Sequence, residues 1–181
     1  MIHHTAQVAT QNVGLNTTVW QFAVILEKAI IGSGCNINCH TFIENDVVIG
    51  NNVTLKSGVY LWDGITLEDN VFIGPNATFT NDKIPRSKRH PQEYERIVIK
   101  KNASIGANAT IIGPVIIGEF CLVGAGSVLT KNTQPYSLWL GNPARHKGYI
   151  TKNNQVLSLA LVDADGNQYE FINGEIVKKH D

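Results

Sequence analysis

The chain has 181 residues, which suits one domain of ordinary size with a short appendage. Fifteen Lys and Arg balance fifteen Asp and Glu, and that zero formal charge argues against a general nucleic-acid binder or a polybasic membrane anchor. No run of 18 apolar residues occurs and MIHHTAQVAT has no charged start leading into an apolar stretch, so neither a transmembrane helix nor a secretory signal is expected and the default compartment is the cytoplasm.

Twenty Ile and 16 Val stand against only 12 Leu, with 16 Gly and 18 Asn. β-Branched residues fit pleated strands, and Gly and Asn tolerate the positive φ of tight corners. Many short strands joined by turns are expected, and helical bundles are excluded. Cys35, Cys39 and Cys121 are odd in number and lack paired spacing, so neither a disulfide framework nor a metal site is suggested.

Residues 1–12 read as a ragged first corner. From Val13 an apolar residue recurs at every sixth position: Val13, Val19, Ile25, Ile31, Ile37, Ile43, Ile49, Leu55, Leu61, Leu67, Ile73 and Phe79. The period resumes at Ile99, Ile105, Ile111, Ile117, Val123 and Leu129. Four residues after most of these sits a small or β-branched one, such as Ala23, Thr41, Val59 or Ala103. Neither a period of 2 nor one of 3.6 produces this pattern, whereas a two-residue strand plus a corner does. Three such units close a triangular coil of 18 residues, and coils stack at roughly 4.8 Å, giving a prism of about six coils and about 30 Å.

Residues 80–98 interrupt the repeat and are expected to protrude as a loop from one corner. Lys83, Arg86, Lys88, Arg89 and His90 fall within eight of its residues. Such a loop is either a solvated excursion or a clamp over an anionic ligand, since guanidinium and ammonium groups match phosphate oxygens. Residues 18 apart stack, so Glu44, Trp62 and Thr80 form one column and Asn45, Asp63 and Asn81 the next. Phe42, Tyr60 and Thr78 make a further outward column. Its aromatics either pack against the loop or another subunit, or offer a stacking surface to a base or sugar. Residues 150–181 carry VLSLALV, DADG, QYEFI, NG and EIVKK, and read as three short strands forming a small β-meander. The expected organisation is a β-helix domain over 1–149 and an appendage over 150–181.

The run TLKSGVYLWDGITLEDNVFIGPN (54–76), with FTNDK (79–83) and PRSK (85–88), resembles the nucleotide-linked amino-sugar N-acetyltransferases of surface-polysaccharide pathways. Within them it is most similar to the enzymes acting on dTDP-3-amino-3,6-dideoxyhexoses. ASIGANATI (103–111), VGAGSVLTK (123–131) and GNPAR (141–145) fit the acetyl-CoA end of the same family. The resemblance covers residues 12–148. It implies an all-β, left-handed parallel β-helix of hexapeptide repeats, assembled as a homotrimer with active sites between subunits.

The resemblance further implies acetyl-CoA as co-substrate, with no metal, lying along the C-terminal coils. Gly106, Ala107, Gly124 and Ala125 would expose backbone amides and carbonyls to its pantetheine arm, and Lys131 and Arg145 would meet its phosphates. The dTDP-linked amino sugar would lie beneath the loop. Tyr60, Trp62 and Asp63 are the wall candidates for holding it, and Lys83, Arg86 and Lys88 the loop candidates. Related enzymes carry a His base where this chain has Asn45, so Asn81 and Asp82 are expected to position the amine, with His40 nearby. A UDP-linked amino sugar, or a hydroxyl acceptor in an O-acetyltransferase of the same fold, remains the alternative. The six histidines, His3, His4, His40, His90, His146 and His180, do not suit the three converging zinc ligands of a γ-type carbonic anhydrase.

Overall fold

The computed structural model describes residues 1–179; His180 and Asp181, at the end of the expected appendage, lie outside the described residues. Every regular element among the described residues is a strand, most of them very short. The strands stack into the three walls of a left-handed parallel β-helix. The first wall carries Thr18–Val19, Asn36–Ile37, Thr54–Leu55, Phe72–Ile73, Ser104–Ile105, Leu122–Val123 and Ser137–Leu140. The second carries Gln7–Val8, Val24–Ile25, Phe42–Ile43 and Tyr60–Leu61, then Thr78–Thr80, Thr110–Ile112 and Val128–Leu129. The third carries Ile30–Ile31, Val48–Ile49, Ile65–Leu67, Ile97–Ile99 and Val115–Ile117.

Such short strands hold because each coil satisfies its backbone through the next. The Thr18 N–H donates to the Cys35 carbonyl at 2.8 Å, Val24 to Thr41 at 2.9 Å and Ile30 to Val47 at 3.0 Å. The sixfold aliphatics from Val19 onward all point inward and are at most 2 % exposed. Each contributes about 1.5–3 kcal/mol on burial, so the interior column rather than any single strand stabilises the coil. The small residue four positions on is also buried, because the chain bends there against the core: Ala23, Val53 and Ala103 are fully enclosed.

Two departures from strict periodicity follow from register. Val8 pairs with Ile25 and Ile2 with Val19, each one position short of the usual coil spacing. Residues 1–12 thus belong to a genuine coil rather than a ragged corner, and the solenoid has about 7 turns. Leu67 pairs with Ile99, so the chain added between them leaves the corner joining the second and third walls without disturbing phase. Strands run in to Thr80 and out from Ile97, which confines the excursion to 81–96.

The C-terminal end is closed by folding back. Ser137–Leu140 adds in parallel to Leu122–Val123, and Arg145–Ile150 returns antiparallel along it, followed by Val156–Leu157. This covers an edge that would otherwise offer unpaired backbone groups. Trp139 takes the inward register opposite Val123 and plugs the prism, its Nε1 donating to Ser137 Oγ at 2.9 Å. A second small core of Tyr136, Leu157, Tyr169 and Ile176 seats the hairpin of Tyr169–Ile172 and Glu175–Lys178. The expected meander is therefore split: its first strand extends the solenoid wall, and only the last two pair with each other. Their hairpin turns at Asn173–Gly174, both at positive φ, as a tight turn with right-handed strand twist requires.

Asp163 organises the DADGN turn before the hairpin. It is 7 % exposed and accepts from the Asp165 and Asn167 amides at 3.0 and 2.9 Å, from Asn167 Nδ2 at 2.9 Å and from Gln155 Nε2 at 2.7 Å. The Tyr169 hydroxyl lies 3.0 Å away. The Asn167 side chain foremost, and the other donors with it, holds the carboxyl below its usual range against the opposing effect of burial. A depressed carboxylate stabilises fully above its unfolded pKa of about 3.9 and ceases to do so as pH falls through the lower folded value. In Asp163→Asn the amides of Asn167 and Tyr169 are expected to exchange faster at neutral pH, with little further loss on acidification. Hydrogen exchange across pH checks this, and parallel acid loss in both proteins would refute it.

Candidate active site

Corner residues divide between capping the solenoid and facing outward. At the corner between the second and third walls, the Asp63 N–H donates to Glu44 Oε2 at 2.7 Å and the Asp46 N–H to Asp63 Oδ1 at 2.6 Å. The Lys28 N–H donates to Asn45 Oδ1 at 3.1 Å, and Asn81 Nδ2 to the Asp63 carbonyl at 2.8 Å. The stacked column thus ties four coils together. It also fixes the Asn81 amide plane and leaves its Oδ1 as an acceptor.

The loop leaves directly from this column. Its neck is closed by the Glu95 N–H donating to the Asn81 carbonyl at 3.2 Å and by ion pairs Arg96–Asp46 at 2.9 Å and Lys83–Glu95 at 3.7 Å. Asp82 Oδ1 accepts from the Ile84 N–H at 2.8 Å, which starts the turn outward. At the tip, Arg86 and Arg89 pair across Ser87 and Lys88, with Lys88 at φ 60°. Arg86, Lys88 and Arg89 pair with no carboxylate among the described residues. A cleft of about 430 Å³ opens between Asp82, Ile84, Arg86, Arg89, His90 and Pro91. Lys83 is therefore neutralised at the base, while the tip retains its positive charge.

The second wall beside the loop is aromatic. Phe42, Tyr60 and Trp62 meet with ring centroids 5.7–6.4 Å apart, and Trp62 Nε1 donates to the Phe79 carbonyl at 2.9 Å. Across the wall, His40 stacks on Phe22 at 5.2 Å and 20°. These rings border a groove of about 420 Å³. Within one chain His40 and Asn81 stand at opposite corners of this wall, since one precedes and the other follows its strands. Sequence reading singled out His40, Tyr60 and Trp62 but missed Phe22. The available signal was its position, one coil before His40 at a corner where Gly or Asn is ordinary.

Gly106, Ala107, Gly124 and Ala125 occupy the corner between the first and second walls in the C-terminal coils. A Cβ on Gly106 would stand 2.4 Å from the Ala125 nitrogen and one on Gly124 2.2 Å from Leu140 Cδ2. Gly106 is thus demanded by coil stacking itself. Against expectation, the Gly106 and Gly124 amides are not free: they donate to the Val123 and Trp139 carbonyls at 2.7 and 2.9 Å, which leaves the Ala107 and Ala125 amides. Lys131 Nζ lies over the Trp139 ring at 5.6 Å, and Arg145 donates to the Ala144 carbonyl at 3.2 Å. Burial raises the Cys35 and Cys121 thiols above their ordinary range, so neither is a poised nucleophile. No group of three His, Cys, Asp or Glu among the described residues could hold a metal.

Residues 46–81 and 96–131 match the family model for bacterial transferase hexapeptide (six repeats), breaking at the loop neck. Over 176 residues, 96 % of this chain and 92 % of the relative, the sequence is 51 % identical to the dTDP-3-amino-3,6-dideoxy-alpha-D-galactopyranose 3-N-acetyltransferase of Aneurinibacillus thermoaerophilus. A hexapeptide-repeat acetyltransferase of Vibrio cholerae O1 biovar eltor, solved with acetyl coenzyme A, is 27 % identical with a TM-score of 0.56, over 76 % of this chain and 69 % of that one. AntD, an N-acyltransferase from Bacillus cereus solved with dTDP and 3-hydroxybutyryl-CoA, shares the fold at 20 % identity and a TM-score of 0.55, over 84 % and 80 % of the chains. The repeat match and the 51 % identical relative place the chain among the hexapeptide-repeat acyltransferases. More narrowly, the chain belongs to the sugar-nucleotide N-acetyltransferase family.

Gly106→Ala is expected to destabilise the solenoid by about 1–3 kcal/mol, because backbone on the next coil must move. Gly126 faces open space at φ 67°, so Gly126→Ala is expected to incur only the conformational penalty. Equal denaturation midpoints for Gly106→Ala and wild type would remove the stacking explanation.

Proposed function

We propose that this enzyme transfers the acetyl group of acetyl-CoA to the 3-amino group of a dTDP-linked 3-amino-3,6-dideoxyhexose. The observation that carries the reading is the 51 % identity over 96 % of the chain to an enzyme of that name. The product suits surface-polysaccharide synthesis, and an acetyl-CoA donor favours a cytoplasmic reaction.

A thioester is already activated, so the protein's task is to hold a neutral amine at attack distance and favour the developing oxyanion. The amine nitrogen bonds to the acetyl carbonyl carbon, the carbon–sulfur bond breaks, and the departing thiolate takes the ammonium proton, directly or through water. Products are the acetamido sugar and free CoA thiol. Asn81 Oδ1, fixed by the capping bond of its Nδ2, accepts from the amine and aims its lone pair, and Asp82 supports the same edge. Asn45 is occupied with the Lys28 amide and is not a base, so no dedicated base is needed at this corner. His40, on the far corner of the wall, serves the acceptor rather than the amine proton. Tyr60, Trp62 and Asp63 form the floor beneath the sugar nucleotide.

Arg86 and Lys88, with Arg89 beside them, hold the pyrophosphate, and Lys83 steadies the loop through Glu95. The backbone of Gly106, Ala107, Gly124 and Ala125 lines the pantetheine path, with Lys131 and Arg145 toward the CoA phosphates. The three clusters line separate surfaces of one chain, which favours a homotrimer whose sites lie between neighbours. The third wall supports this assembly: its outward column of Ile30, Val48, Thr66, Val98 and Ile116 is mostly aliphatic, with Ile30, Val48 and Ile116 48, 39 and 47 % exposed. Such an aliphatic column on a solvent face is a surface for another copy.

Thiol release from acetyl-CoA, measured across dTDP- and UDP-linked 3-amino and 3-hydroxy hexoses, tests the reading. Turnover is expected with the dTDP-linked amine, and its absence would end the assignment. Arg86→Ala with Arg89→Ala is expected to raise KM for the sugar nucleotide about tenfold, less so at high salt. An unchanged KM would remove the loop from the site. Val48→Glu with Ile116→Lys is expected to yield a folded, inactive monomer by light scattering. An intact trimer would place the interface elsewhere.

A further inference from the structure

The corner between the first and second walls repeats a left-handed residue in each coil: Phe22, His40, Gly58, Asn76, Asn108 and Gly126, with φ between 55° and 75°. Gly, Asn and, less often, His accept this conformation, and Phe does not readily do so; Phe120 and Tyr136 take it at another corner, where they pack into the small C-terminal core. Two successive coils nevertheless place rings there. Phe22 is 54 % exposed, so core burial does not offset the strain. Strain retained without a folding benefit points to function.

The two strained rings stack on each other and form one side of the aromatic groove whose floor is Phe42, Tyr60 and Trp62. The groove floor ends at Trp62, next to Asp63 of the capping column, while Phe22 and His40 stand at the opposite corner of the same wall, three and two coils before Asn81. The groove thus runs from those rings toward the column proposed to hold the sugar.

We infer that Phe22 and His40 form the stacking wall for the pyrimidine base of the acceptor, and that Phe22 is a binding determinant for the nucleotide half. This inference rests on the function proposed above and deepens it. Base–aromatic stacking needs a flat, exposed ring held rigidly, and a left-handed corner locked between coils supplies that.

Phe22→Asn separates the two roles, because Asn relaxes the corner while removing the ring. Its melting temperature is expected to equal or exceed that of wild type, while the Kd for dTDP alone, by titration calorimetry, weakens about tenfold. The KM for the dTDP-amino sugar should rise with it, that for acetyl-CoA should not, and Phe22→Tyr should retain affinity. An unchanged dTDP affinity in Phe22→Asn overturns the inference, as does loss of the oligomer, which would make the ring an interface contact. If wild type binds dTDP, loses it in Phe22→Asn and yet acetylates no dTDP-amino sugar, the base site stands and the proposed function fails.

Discussion

Everything in this molecule depends on backbone hydrogen bonds between consecutive coils. A strand this short has no stability of its own, and each N–H finds its carbonyl about one coil further along the chain. That condition fixes the coil length, since a side chain out of phase would turn its aliphatic outward and break the interior column. An insertion must then leave and re-enter at the same corner. The extra chain between Leu67 and Ile99 obeys this rule, and the walls continue in register on both sides of the loop.

The same rule gives the chemistry its rigidity. Asn81 is held by the bond that caps the coil below it, so a group available to substrate is positioned by the force that stacks the solenoid. The loop neck is tied to that column through Glu95 and through the Arg96–Asp46 pair, and only the tip carries uncompensated charge. In the proposed reaction the rigid wall would supply orientation and the charged loop electrostatic attraction.

The walls were legible in the sequence because inward aliphatics repeat without a gap from Val13 to Phe79. The first coil was not, because its shortened spacing shifts Ile2 and Val8 out of phase, and physical pairing tolerates a shift that a strict period does not. The loop's position was readable from its charge and prolines, but not which cations stay free: Lys83 is taken up by Glu95, at the far end of the same loop. Phe22, and its pairing with His40, were hidden for a different reason. Their meaning lies in backbone φ, and only the stacked corner reveals that rings occupy positions better suited to Gly or Asn. Arg145–Ile150 was equally obscure, since the GNPAR run carries only its fit to the acetyl-CoA end and no strand signal, while the chain there folds back over its own edge.

Asn45 at the position where the family resemblance leads one to expect an imidazole is consistent with this scaffold's logic. With a thioester donor, expulsion of sulfur generates a thiolate that can itself take the ammonium proton, so a base adds little once the amine is neutral and aligned. Alignment is the scarcer quantity, because fixing two reactants together can supply several kcal/mol that a proton acceptor cannot. A corner whose polar groups are consumed in tying coils together is poor at titrating and good at holding still. Asn45 bonded to the Lys28 amide and Asn81 bonded to the Asp63 carbonyl are suited to that second task. The absence of an imidazole from the column therefore costs little, provided that the aromatic wall and the charged loop deliver the acceptor in one pose.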